Sequence, residues 1–132
     1  MNANLPSSSH GNSLIDAVAD WLMDQALGTA SLEDLLTECS LRLNAAGVPL
    51  WRSAIAFQTL HPLYEAVSLI WYRKSGLQPV GHFPEGVNAR TEAWLNSPQY
   101  YLISNNLPFL RRRLTGPEAV IDFPLLQELK DG

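Results

Sequence analysis

Cysteine is nearly absent: Cys39 stands alone among 132 residues, so an internal disulfide is excluded. Positive charge is scarce as well, with 9 Lys and Arg against 13 Asp and Glu for a net charge of -4. Phosphate binding needs a basic face and a polybasic membrane anchor needs a cationic run, so neither nucleic acid nor a charged membrane surface fits as a partner. No apolar run approaches the roughly 20 residues of a membrane-spanning helix. The opening MNANLPSSSHGNS has neither the basic start nor the apolar centre of a secretory signal. The cytoplasm is the expected compartment. Catalytic motifs are missing too: the chain has no GxxxxGK(S/T), GxGxxG, GxSxG, HExxH or CxxC. The three histidines, His10, His61 and His82, are far apart, whereas a zinc site needs clustered ligands. No metal and no cofactor is expected.

Present instead is 46% hydrophobic content in a length that suits one globular domain with a real core. Residues 1–11, rich in Asn, Ser, Pro and Gly, read as a disordered tail, and 12–132 as the domain. Leu14, Val18, Trp21 and Leu22 fall on one face of a first helix, opposite Asp16, Asp20 and Asp24. Asn12 or Ser13 can cap it and Gly28 stops it. A second helix is better delimited. Ser31 caps its start; Leu32, Leu35, Leu36, Cys39 and Leu43 make its apolar stripe; Gly47, Val48 and Pro49 end it. Cys39 on that stripe reads as a buried small hydrophobe.

From Trp51 to Thr59 the chain alternates: Trp51, Ser53, Ile55 and Phe57 face one way and Arg52, Ala54, Ala56 and Gln58 the other. Small residues on the second face suggest that a helix lies close there. Ala66–Tyr72 is apolar almost throughout and is expected to be covered on both faces. The two runs, joined through His61-Pro62-Leu63-Tyr64, predict an antiparallel pair. Leu77–Phe83 predicts a third, edge strand broken by Pro79 and Gly81. Thr91–Leu95 predicts a short helix. Ser97-Pro98 opens another that Asn105-Asn106 closes, Phe109–Leu114 reads as a strand or a helical turn with strand preferred, and Asp122-Pro124 starts a last helix carrying Leu125, Leu126 and Leu129. The ending at Asp131-Gly132 falls where a further strand is expected, which leaves a C-terminal truncation open. The fold class is α+β, an antiparallel sheet with flanking helices.

The residues with chemistry to offer each carry two readings. His61, beside Tyr64 and Glu65, can sense protons or touch a ligand; a turn or packing role outweighs that. A His61–Glu65 pair is the thin support for an enzyme. Arg111-Arg112-Arg113 invites phosphate, but adjacent residues diverge on strand or helix, so a solvated surface paired with the acidic helices is preferred. Trp94, Tyr100 and Tyr101 suit an aromatic small-ligand site; as core residues they are equally at home, and core is favoured.

The set GVPLWR (47–52), TLHPLYEA (59–66), SPQYYLI (97–103) and DFPLLQELKDG (122–132) resembles the N-terminal region of bacterial class III adenylate/guanylate cyclases. The resemblance covers most of the chain from about Val18 onward. It implies a GAF/PAS-like sensor ahead of a catalytic domain, acting in signal transduction by modulating cyclic nucleotide synthesis. The paired metal-binding aspartates and the transition-state Asn and Arg of the cyclase domain have no counterpart in this sequence, so no catalysis is expected of it. The resemblance implies a cyclase catalytic domain as partner, in cis or in trans, and supplies no ligand; a second copy through the first helix and a small molecule are the further expected partners. His61, Trp71, Trp94, Tyr100 and Tyr101 are the residues expected to meet that ligand. The alternative is a structural interaction or dimerisation module without a ligand.

Overall fold

The structure is a computed structural model that describes residues 9–60, 62, 64–84, 86 and 91–132, with the side chains of 9–12 and 64 left out. Its elements run α1 (Ser9–Ala26), α2 (Leu32–Ala45), β1 (Arg52–Gln58), β2 (Tyr64–Tyr72), β3 (Gly76–Leu77), β4 (Gly81–Pro84), α3 (Glu92–Leu95), α4 (Pro98–Ser104) and α5 (Pro124–Asp131). This is an α+β chain with a four-stranded antiparallel sheet and flanking helices. It divides into two compact units, one reaching to Thr59 and including Ala66–His82, the other Leu60–Glu65 with Phe83–Gly132. Helix α1 begins at Ser9, earlier than the expected cap at Asn12 or Ser13, so residues 9–11 of the expected tail are helical. Residues 1–8 lie outside the described residues.

In the first unit, α2 has the ends its sequence predicts. The Ser31 side chain accepts from the Asp34 N–H at 3.1 Å, which satisfies one of the donors that a helix start leaves unpaired. At the other end Val48 N–H reaches Leu43 C=O at 2.9 Å and Gly47 N–H reaches Asn44 C=O at 3.1 Å. That pair of bonds turns the chain through Gly47 at φ 92, a left-handed conformation that suits glycine.

Strands β1 and β2 pair antiparallel without interruption from Arg52↔Tyr72 to Gln58↔Ala66. Strand β3 joins the other side of β2 through Trp71↔Leu77, and β4 also pairs with β2, so the expected third strand is present in two pieces. Register sets Ser53 and Ile55 beside Trp71 and Leu69 on one face. Leu36 of α2 packs there with Leu69 and Trp71, supported by Leu50, Ile55, Leu77 and Val80. Leu69 and Trp71 are each only 2% exposed, and full burial of a leucine side chain is worth about 1.5–3 kcal/mol. Ser40, equally buried, bonds Ser53 across the interface through their hydroxyl oxygens at 2.6 Å.

Two expectations change here. Helix α2 covers the Ser53/Ile55 face, not the small-residue face, and Ala54 and Ala56 are exposed. Strand β2 is therefore sealed on one side, while Ser68, Ile70 and Tyr72 on the other are half-buried. The physical reason is apolar area: that face carries Leu69 and Trp71, which Leu36 covers, and the Ser40–Ser53 bond adds about 1 kcal/mol to the same contact. Helix α1 rests on α2 through Val18 and Trp21, the latter capped by the Arg42 guanidinium 4.4 Å from the ring centroid. Arg42 also pairs with Glu38 at 3.1 Å. Leu14 and Leu22, expected on the same covered face, are 52% and 39% exposed.

In the second unit Thr91 caps α3 by accepting from Trp94 N–H, and Ser97 caps α4 by accepting from Tyr100 N–H, with Pro98 at the first helical position. Helix α4 closes through Asn106 at φ 50, with Leu107 N–H bonded to Leu102 C=O at 2.9 Å. Leu126 of α5 is the buried anchor of this unit. Phe109–Leu114 is not the expected strand but irregular chain. One backbone bond, Val120 N–H to Arg113 C=O, crosses from its end, and one bond is not a ladder.

Candidate functional site

The aromatic residues singled out by sequence meet in part. In the second unit a cavity of about 240 Å³ is lined by Tyr100 and Tyr101 of α4, by Leu95 and Asn96, and by Asp122, Phe123 and Pro124 at the start of α5. The cap at Ser97 fixes where α4 starts, and this presents both tyrosines towards the α5 entry. Tyr101 meets Phe123 edge to face at 5.6 Å, and Trp94 meets Tyr100 in the same way at 6.0 Å. Trp94 buttresses Tyr100 and is not part of the lining.

Asp122 is the charged group at this cavity, and it is already engaged. Arg112 donates to it from Nε at 3.1 Å to each carboxylate oxygen and from Nη2 at 2.8 Å. The hydrogen bonds from Arg112 hold the Asp122 carboxyl below the usual carboxylate range, and the same bonds raise Arg112. Ser104 donates its hydroxyl proton to Tyr100 C=O at 2.7 Å, and Asn105 donates one of its two amide N–H groups to Tyr101 C=O at 2.9 Å. What remains for a ligand is aromatic surface, the amides of Asn96 and Asn105 and a neutralised carboxylate, a lining suited to a small flat molecule with polar edges rather than to an ion.

Trp71 belongs to the buried cluster of the first unit, and His61 lies outside the described residues. Sequence reasoning missed Phe123 and Asp122 as cavity residues. The signal was available in the turn before Pro124, where a helix entry exposes the residues that precede it. Arg112 and Arg113 pair with Asp122 and with Glu118 at 3.0 Å, loop carboxylates rather than the acidic helices expected. Among the described residues no group of three or more His, Cys, Asp or Glu is placed to hold a metal ion. Nor is any described helix long and apolar enough to cross a membrane.

A second feature stands out in the first unit. At about 100° per residue, Leu22, Ile15, Ala26, Ala19 and Met23 lie within an arc of α1 roughly 100° wide, shared only with Asn12 in the first turn. All five are exposed, Met23 at 71% and Ile15 at 40%. Asp16, Asp20 and Asp24 follow directly on its flank, one helical turn apart. The inner arc through Val18 and Trp21 is the part that α2 covers. Helix α1 thus has a packed apolar face and a bare one. No family model, no curated protein and no solved structure matches the chain.

Proposed function

We propose that this chain is a regulatory region without catalysis of its own, GAF/PAS-like in fold, similar to the one that precedes the catalytic domain of class III adenylate/guanylate cyclases, and that it works by association. The bare apolar face of α1 carries the reading. Exposed apolar stripes rimmed by polar residues mark interaction surfaces, and here the rim is the Asp16–Asp20–Asp24 ridge. The resemblance of GVPLWR, TLHPLYEA, SPQYYLI and DFPLLQELKDG supplies the context: a partner that is a cyclase catalytic domain, in cis or in trans, or a second copy of this chain. Regulation then consists of favouring one arrangement of the catalytic halves over another, by as much as the two arrangements differ in what α1 buries.

Joined to a cyclase catalytic domain, the chain is expected to change cyclic AMP output, and Leu22→Glu is expected to remove that change by placing a charge in the stripe. Unchanged output on deleting the whole chain would end the regulatory reading. The cavity beside Tyr101 favours one addition, a small aromatic ligand as input. A thermal-shift screen of planar nucleobase-sized compounds against Tyr101→Ala tests it, and equal response of both proteins rejects it.

A further inference from the structure

Strand β1 stands at one edge of the sheet. Arg73 N–H donates to Trp51 C=O, which fixes the phase of the β1–β2 ladder. Odd-numbered residues of β1 therefore direct their backbone groups to β2, and Arg52, Ala54, Ala56 and Gln58 direct theirs away from it. Among the described residues no strand pairs with that side. Natural edges are guarded by charge, proline or bulges. Here the register runs unbroken through seven pairs, and from Ser53 to Leu60 the sequence has no charged residue and no proline. Ala54, Ala56, Phe57 and Gln58 are all exposed.

We infer that β1 is a pairing edge whose occupant is β1 of a second copy, antiparallel and centred on Ile55. The strand is complementary to itself in this register. Arg52 faces Gln58 and Ala54 faces Ala56, so all four outward residues of each copy meet outward residues of the other, giving about eight backbone hydrogen bonds at two per facing pair. Centring on Ala54 or Ala56 retains fewer of these pairs. The two Arg52 side chains end up at opposite ends of the junction, roughly 20 Å apart at about 3.4 Å per residue. Phe57, 40% exposed, gains Ser53 of the other copy as its neighbour, and Ile55 meets Ile55.

Paired residues share a face, so both α2 helices fall on the same side of the joined sheet. Each spans from β1 to β3, centred near β2. The helices then stand about 14 Å apart, three strand spacings, which exceeds the roughly 8–10 Å of packed helices and leaves them unobstructed. The inference does not rest on α1 or on the cyclase resemblance.

Sedimentation equilibrium on the full 132-residue chain is expected to show a dimer. Ala56→Pro removes one outward N–H from each copy, leaves the bonds to β2 in place, and is expected to weaken the dimer roughly thirtyfold. In a Cys39→Ser background, Ile55→Cys is expected to form a disulfide dimer under mild oxidation, because facing residues without mutual hydrogen bonds bring their Cβ atoms to about 4.5–5.5 Å. Phe57→Cys, set off from its own copy, is expected not to. The cross-linking pair decides the matter should Ala56→Pro fail to fold. A monomer at every concentration together with no Ile55→Cys cross-link overturns the inference, and so does a dimer that Leu22→Glu dissolves and Ala56→Pro leaves intact. The last result leaves the α1 reading standing; dissociation by Ala56→Pro alone supports the edge and not the stripe.

Discussion

Removing the Ser53 hydroxyl tests how α2 is tied to the sheet. Ser40 Oγ lies 2.7 Å from Leu36 C=O and 2.6 Å from Ser53 Oγ, and a hydroxyl has one proton. Leu36 C=O can only accept, so the Ser40 proton goes there and Ser53 donates to Ser40. Ser53→Ala then deletes one neutral hydrogen bond and leaves Ser40, 2% exposed, still bonded to the helix. A net loss of about 1 kcal/mol follows. Ser40→Ala strips Ser53 of its acceptor at a half-buried position and is expected to cost slightly more, about 1–2 kcal/mol. In the double variant neither hydroxyl is stranded, so the losses are less than additive, with a coupling of about 1 kcal/mol. Urea melts of the four proteins, followed by tryptophan fluorescence, measure it; thermal midpoints are expected to move by about 3–5 °C per kcal/mol in a chain of this size. Additivity within about 0.3 kcal/mol would refute the reasoning and leave apolar packing of Leu36 as what holds the helix.

Acid sensitivity should reside in Asp122. Its folded-state pKa is depressed by the Arg112 hydrogen bonds, so its contribution is fully present above the unfolded carboxyl value near 3.9 and is lost as pH falls through the folded value. Near-ultraviolet tyrosine signals between pH 6 and pH 2 are expected to lose stability in the wild type over that window, and Asp122→Asn is expected to be weaker at pH 6 and flatter with pH. Gly47→Ala and Asn106→Gly should act in opposite directions. No heavy atom lies within 4 Å of a Cβ added to Gly47, so alanine at φ 92 meets backbone strain alone, about 1 kcal/mol, whereas glycine at the Asn106 position relieves the strain of φ 50 by a few tenths. Equal signs in urea denaturation would contradict the left-handed assignment at one of the two helix ends.

Local signals were the legible ones. Ser31, Gly47, Ser97 and Asn106 act within a turn of themselves, and each helix end follows from chemistry that four or five neighbouring residues contain. The β1–β2 pair was legible because period two survives in the sequence. Which face a helix chooses was not. Small residues at Ala54 and Ala56 suggested a close approach, but an interface is chosen by both partners, and Leu36 on α2 covers Leu69 and Trp71 on the other face, where Ser40 also bonds Ser53. Phe109–Leu114 has strand-like residues, but no partner strand is paired with it among the described residues, and β propensity has no effect without a ladder to join. Of the cavity, Tyr100 and Tyr101 were readable from their place behind the Ser97 cap. Phe123 and Asp122 come from twenty residues further on, a distance that no periodicity spans.

The width of the apolar arc on α1 limits what can cover it. From Trp21 through Val18 to Met23 the arc spans roughly 200° at about 100° per residue, and one packed neighbour seldom covers more than half of that. Helix α2 takes the Val18 side and leaves Ile15, Leu22 and Met23 exposed, the surface on which the proposed association would draw. The acid ridge narrows its geometry. In an antiparallel pairing of two copies the same flanks meet, setting Asp16, Asp20 and Asp24 against one another. Parallel pairing sets each ridge against the opposite flank of the other copy instead, and like charges four residues apart along a helix already repel. A second copy at α1 must therefore run parallel, which carries both chains out of the pair in the same direction. Under the proposed reading, that arrangement would bring two catalytic domains joined to the same end of each chain side by side.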